Sequence, residues 1–254
     1  MDTITLRPLD PQSDFPRVAE LLSAVQPEPV TATALEDRYR HVLAGRIQQD
    51  IVACDEQGHL VGFNHIWRNP WQVAGKFGIE VVVDSAARRQ GIGAQLYANA
   101  LAFVQPHGAT LLEGEIRDDV PEALRFVQAR GFEIDRHQFE YTLDLASFDE
   151  KRFAGVIEGV ETSGIRFTNL AELGDTLEAQ RQLYELNRST GLDIPGHEQT
   201  YKPFEQFQQD VFMAAWYRAD GQIVALDGEQ WIGMAAIGYF STNNSVYNMM
   251  TGVV

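Results

Sequence analysis

The stretch that most constrains this chain is Gly78-Ile79-Glu80-Val81-Val82-Val83-Asp84-Ser85-Ala86-Ala87-Arg88-Arg89-Gln90-Gly91-Ile92-Gly93-Ala94-Gln95-Leu96-Tyr97. A β-branched run passes through a short polar segment and two glycines into Ala94, Leu96, Tyr97, Ala100, Leu101 and Val104, which repeat with helical spacing. The order reads as strand, glycine loop, helix. The first turn of a helix leaves backbone N–H groups unpaired at the positive end of its dipole, and a glycine-lined entry lets a phosphate reach them. Arg88 and Arg89 add fixed positive charge nearby. Two familiar phosphate loops are excluded. A dinucleotide fingerprint needs a third Gly or Ala where Leu96 stands, and a Walker A loop needs Gly-Lys-Ser/Thr, which is absent. The competing reading is a tight turn whose glycines serve packing alone.

With 254 residues, 44% of them hydrophobic, the chain can build one large or two modest domains. The net charge of −16 argues against nucleic acid and against an anionic membrane as partners, since both demand a basic face. An acidic surface suits a cationic substrate, and it also simply aids solubility. The single cysteine, Cys54, allows neither an internal disulfide nor a zinc cluster, and the six histidines show no zinc-ligand spacing, so no metal is expected. Met1-Asp2-Thr3-Ile4 lacks the basic and apolar regions of a signal peptide, and no apolar run reaches about twenty residues. The expectation is a soluble protein of the reducing cytoplasm.

Along the chain, Thr3 to Pro8 alternates as a first strand. Asp14 is a candidate cap for a helix carrying Val18, Leu21, Leu22 and Val25, and a second helix is expected over Thr33 to Gln48. Ile51-Val52-Ala53-Cys54 and Leu60 to Trp67 flank the turn Asp55-Glu56-Gln57-Gly58, which predicts a hairpin. The opening stretch follows, with its helix running to about Gln105. Thr110 to Ile116 predicts a further strand, Pro121 to Arg130 a helix capped by Gly131, and Phe132 to Leu145 two short strands.

Arg88-x-x-Gly91-x-Gly93 after a strand resembles the pyrophosphate loop of the GNAT acyl-CoA N-acyltransferases, and the element order is theirs as well. Glu122 to Phe132 resembles their second motif: Ala123, Gly131 and Phe132 agree, while Val120 and Val127 stand where that motif has Asn and Tyr. The resemblance implies an α/β (α+β) GNAT fold, a mixed, mostly antiparallel sheet flanked by helices. It implies acetyl-CoA as cosubstrate, with pantetheine along Val81, Val82 and Val83 and pyrophosphate on Arg88, Arg89, Gln90, Gly91, Ile92, Gly93 and Ala94. The Tyr that often protonates the CoA thiolate is missing, because a Val cannot donate a proton. Glu80 is the first candidate for the general base, His65 the alternative, and Tyr141 or Tyr97 a replacement acid; each has an ordinary structural reading too.

After a polar connector the pattern restarts. Ile165-Arg166-Phe167-Thr168 resembles Ile4-Thr5-Leu6-Arg7, Ile223-Val224-Ala225-Leu226-Asp227 resembles Ile51-Val52-Ala53-Cys54-Asp55, and Trp231-Ile232-Gly233-Met234 resembles Leu60-Val61-Gly62-Phe63. With Asp193-Ile194-Pro195, the whole is similar to tandem-GNAT proteins of the mycothiol synthase-like group, its second copy ending at a fourth strand over Tyr247 to Val254. The expected organisation is a GNAT domain over 1–146, a connector over 147–163 and a partial copy over 164–254. An open apolar face with Met234, Ala236, Ile237 and Val253 would be buried by the first domain or in a homodimer. The expected function is acetyl transfer to a primary amine of an unidentified acceptor. The alternatives are a non-catalytic acyl-CoA-binding or interaction module and a plain structural protein.

Overall fold

Alternation near the start of the chain builds β1 (Thr5–Pro8), which pairs antiparallel with β2 (Ile47–Cys54). The hairpin partner β3 (Leu60–Arg68) and then β4 (Lys76–Val83) continue the antiparallel order, and β5 (Leu111–Glu113) joins β4 in parallel. This mixed five-stranded sheet has the order β1-β2-β3-β4-β5. The computed structural model describes residues 3–26, 29–41, 43–139, 141–194, 200–240 and 244–254. Two compact units divide the chain, Met1–Glu133 and Ile134–Val254.

In the first unit α1 (Pro11–Ser23) and α2 (Ala32–Arg40) cover one face of the sheet. Phe15, Val18, Leu22 and Leu35 close a core over Val52, Phe63 and Val82. On the opposite face, α3 (Ile92–Val104) turns Ile92, Leu96, Ala100 and Val104 toward Ala53, Ile66 and Phe77. Gly62 makes that packing possible, since a Cβ there would lie 3.1 Å from Leu96 and 3.2 Å from Ile92. The short helix α4 (Pro121–Gln128) ends at Gly131, whose φ of +82° is the left-handed cap the sequence predicts.

Several expectations shift. The cap of α1 is Asp10, whose side chain accepts from Gln12 N–H; Asp14 instead sits buried in the first turn, held by Arg7 at 2.6 and 2.9 Å. The second helix stops at Arg40, because Ile47 and Gln48 already pair with Arg68 and Trp67 as the start of β2. β5 is shorter than expected: at Gly114 a Cβ would lie 2.9 Å from the Ile79 carbonyl, and the chain leaves the sheet there. Among the described residues no strand forms between Phe132 and Leu145. Phe139, Tyr141 and Leu143 alternate as a strand would but, like Ile134, stand exposed, and a strand without a paired ladder has nothing to hold it.

The second unit has short α5 (Val156–Thr162) and a four-stranded antiparallel sheet, β6 (Ile165–Asn169), β7 (Gln222–Asp227), β8 (Gln230–Phe240) and β9 (Ser245–Val253), in sequence order. Two helices, α6 (Leu177–Leu192) and the single turn α7 (Phe204–Phe207), pack on one face. Leu183, Leu186, Val224, Leu226, Met234 and Ala236 form this unit's core. Met234 and Ala236 are therefore covered by the unit's own helices, contrary to expectation, whereas Val253 is exposed. Pro195 lies outside the described residues.

Candidate active site

Three adjacent strands of the first sheet line up Asp50, His65 and Glu80: Asp50 stands opposite His65, and His65 opposite Glu80. Strand alternation puts them on the face of Val52, Phe63 and Val82, the face covered by α1 and α2. The His65 Nδ1 is 2.6 Å from Asp50 Oδ1, and its Nε2 is 3.1 Å from Arg46 Nη2. A guanidinium only donates, so Nε2 is the accepting nitrogen in this arrangement and Nδ1–H donates to the carboxylate. The imidazole also stacks on Trp67, with ring centroids 4.5 Å apart and planes 13° apart. Gly78 makes room for that indole, because a Cβ there would fall 2.5 Å from the ring. Burial and the nearby Asp50 carboxylate hold the Tyr39 phenol far above its ordinary range, so it stays protonated. Glu80 is half-buried, and Gln26 Nε2 donates to its Oε1 at 3.0 Å.

Beyond this row β4 passes into the glycine loop. Pairing with β5 covers only Lys76 to Gly78, so among the described residues the β5-side edge of β4 from Ile79 to Val83 has no strand beside it. Val82 is buried in the core under α1, while Val81 and Val83 pack on the α3 side. Asp84 caps the turn at Ala86 N–H and is ion-paired with Arg17 of α1, which also donates to Leu60 O at 3.2 Å. These bonds fix where the loop leaves the sheet. Arg89 and Gly91 both adopt left-handed backbone, at φ +66° and +84°, and turn the chain into α3. No side chain caps the start of α3, and among the described residues the N–H groups of Ile92, Gly93 and Ala94 donate to no other group.

A Cβ at Gly91 would meet nothing within 4 Å, so the mouth of the helix is unplugged. At Gly93 a Cβ would come within 3.2 Å of Phe126 and 3.6 Å of Val83. Arg88 donates to Val83 O and pairs with Glu122 at 3.3 Å, which spends part of its charge on the protein. Among the described residues no group of three His, Cys, Asp or Glu side chains is placed to hold a metal, and no helix is long and apolar enough to cross a membrane.

Residues 15–132 match the model of the acetyltransferase (GNAT) family. The match spans most of the first unit, which has the fold of that family. Its members use acetyl-CoA. Two solved structures resemble the GNAT-containing chain over nearly its full length. One is the GCN5-related glucosamine N-acetyltransferase region of a fungal multi-domain GH3 β-N-acetylglucosaminidase, 17% identical with a TM-score of 0.64; it covers 95% of this chain, which spans 28% of the fungal one. The other is a GCN5-related N-acetyltransferase from Sphaerobacter thermophilus, 14% identical with a TM-score of 0.62, covering 98% of this chain and 76% of its own. At these identities the likeness is one of fold. No curated protein matches.

Of the candidates named from the sequence, Glu80 and His65 stand side by side in the GNAT unit, and the loop residues gather at the start of α3. Tyr141 belongs to the second unit, where it is 89% exposed. Tyr97 packs edge-on against Phe126 and Phe132 with Arg130 over its ring, the arrangement of a core aromatic. Sequence reasoning missed Asp50, Arg46, Gln26 and Trp67. Asp50 could have been found by counting along the hairpin, but a bulge between Ala53 and Cys54 moves the register by one residue. Counted straight from the Cys54–Leu60 pair, Asp50 falls opposite Asn64.

Proposed function

We propose that the chain is an acetyl-CoA-dependent N-acetyltransferase that acetylates a primary amine by direct attack on the thioester. One observation carries this reading: the unplugged, uncapped start of α3 follows a strand whose edge is open from Ile79 to Val83 and whose side chains include a half-buried carboxylate. The residues present fit the cosubstrate. Amides from Arg89 to Ala94 would hold the pyrophosphate, helped by the charges of Arg88 and Arg89, and the backbone of Val81, Val82 and Val83 would pair with the pantetheine arm. Acetyl-CoA supplies an activated acyl group with a thiolate as leaving group. Glu80 takes the proton that the amine nitrogen sheds as its lone pair forms the new C–N bond, directly or through a water. The chain's excess of acidic residues, 36 against 20 basic, favours a cationic acceptor.

The second unit reads as an incomplete copy of the first, in the manner of tandem-GNAT proteins of the mycothiol synthase-like group. In support, both sheets run four antiparallel strands in sequence order, and both second strands bulge at the matching place, Ala53/Cys54 and Ala225/Leu226. We keep the organisation 1–146, 147–163 and 164–254 for these two copies and their connector, and the cytoplasm as its place of action.

Val127, standing where the family motif has its Tyr, favours a second reading as an acyl-CoA-binding module without catalysis. Calorimetry with acetyl-CoA, followed by a CoA-release assay over an amine panel that includes glucosamine, separates the two. Binding with amine-dependent release supports the transferase; binding with no release from any amine supports the module. Replacing Gly91 and Gly93 together by Val should weaken binding at least about tenfold by blocking backbone approach. Unchanged affinity in a variant that melts normally would exclude this loop as the site.

A further inference from the structure

Three residues other than glycine hold a left-handed backbone among the described residues: Arg89 at φ +66°, Asp175 at +46° and Asn244 at +51°. Asp and Asn tolerate that region, because their short polar side chains bond locally to the backbone. Arg89 has no such means, and the turn into α3 would form at lower cost with Gly or Asn in its place. Nothing within the fold offsets that cost. Arg89 is exposed, and among the described residues its guanidinium bonds to no carboxylate, carbonyl or ring. A strained backbone that local contacts do not explain points to function.

The neighbouring cations are engaged by the protein itself. Arg88 donates to Val83 O at 3.2 Å and pairs with Glu122 at 3.3 Å. Arg130 lies over the ring of Phe126, the residue that approaches Gly93, and donates to Phe126 O at 2.8 Å. The charge of Arg89 is left for a ligand. It matters the more because the chain carries 36 acidic residues against 20 basic, a balance that disfavours an anion approaching from solution.

CoA is such an anion, and its phosphates fall in two places. The N–H groups of Ile92, Gly93 and Ala94 suit the pyrophosphate. The 3′-phosphate is a monoester with about two negative charges at neutral pH, and needs a cation of its own. It stands one ribose away from the pyrophosphate, a separation that an arginine side chain spans, and the planar guanidinium fork matches a phosphate. We propose that Arg89 selects the 3′-phosphate of CoA, while Arg88 shapes the loop. The inference rests on the acetyl-CoA reading of this site and adds to it which cosubstrates the site distinguishes.

Calorimetry on the full chain with CoA and with dephospho-CoA, which lacks only the 3′-phosphate, tests this without turnover. The parent should bind CoA at least about fivefold more tightly than dephospho-CoA. Arg89→Asn puts a residue that accepts the left-handed turn in place, so the variant should melt no lower than the parent. It should bring the two affinities within about twofold of each other by weakening CoA alone. Arg89→Lys keeps the charge and should retain most of the preference. Equal affinities in the parent, or an Arg89→Asn chain that keeps the preference or loses both nucleotides alike, would overturn the proposal while leaving the loop as a CoA site. A parent that binds neither nucleotide at millimolar concentration would overturn the acetyl-CoA reading itself, and the role of Arg89 with it.

Discussion

Which group takes the proton from an incoming amine turns on Arg46. Its Nη2 faces the accepting nitrogen of His65, so protonating that nitrogen would turn an acceptor into a second donor facing a guanidinium. Asp50 on the other side accepts the Nδ1 proton and fixes the orientation of the ring, while its carboxylate partly offsets the guanidinium's repulsion. We therefore propose His65 as a positioning group in the row and Glu80, held at one oxygen by Gln26 and only half-buried, as the base. Glu80→Gln preserves shape and the option of a hydrogen bond to Gln26 while removing basicity. Its kcat should fall about 10²-fold or more with acetyl-CoA affinity unchanged. Steady-state kinetics with calorimetry checks this, and a kcat within about threefold of the parent would move the base elsewhere.

At the scale of elements, the first unit hangs on how α1 is tied to the sheet. Arg7 of β1 holds the buried Asp14 carboxylate with two hydrogen bonds, and Asp10 N–H adds a third at 2.8 Å. The Arg7 guanidinium, chiefly, keeps the Asp14 carboxyl below its usual range in the fold. A carboxyl whose pKa is depressed on folding stabilises the protein above its unfolded value, near about 4, and that contribution fades as pH falls through the lower folded value. Asp14→Asn should therefore cost about 1–3 kcal/mol at neutral pH and flatten the acid limb of stability below about pH 4. Urea midpoints across that range measure it; an unchanged acid limb would show that the pair contributes nothing. The strand–loop–helix stretch, the hairpin and the Gly131 cap were all legible from the sequence, because each rests on local chemistry: β-branching, turn residues, a glycine at positive φ. What was not legible depends on partners. The end of α2 is set by a strand pairing at Ile47, and the place of Asp50 by a bulge that hydrophobic spacing does not reveal. Phe132 to Leu145 has the alternation of strands but no ladder, so pattern alone misled.

At the scale of the whole molecule, the two sheets differ in what their faces meet. The first carries helices on both faces, α1 and α2 on one and α3 on the other. The second has α6 and α7 on one face, while Phe167, Ile223, Tyr239, Val246 and Val253 on the opposite side are exposed. An apolar sheet face of this extent is a liability for a lone chain and a natural site of association. Its outer strand β9 pairs only with β8 among the described residues, so backbone donors and acceptors are available beside it as well. A homodimer through this face is the expected state: a two-fold axis would set the same apolar residues against themselves and satisfy both copies at once. Sedimentation equilibrium at micromolar concentration should return twice the chain mass of 28.5 kDa. Phe167→Glu with Ile223→Glu would place two like charges per chain in that interface and should weaken the dimer by at least about tenfold. Both substitutions lie in the second unit and outside its core under α6, so acetyl-CoA binding and thermal unfolding of the first unit should remain as in the parent. A parent chain that stays monomeric over the whole concentration range would show that the exposed face is not used between copies.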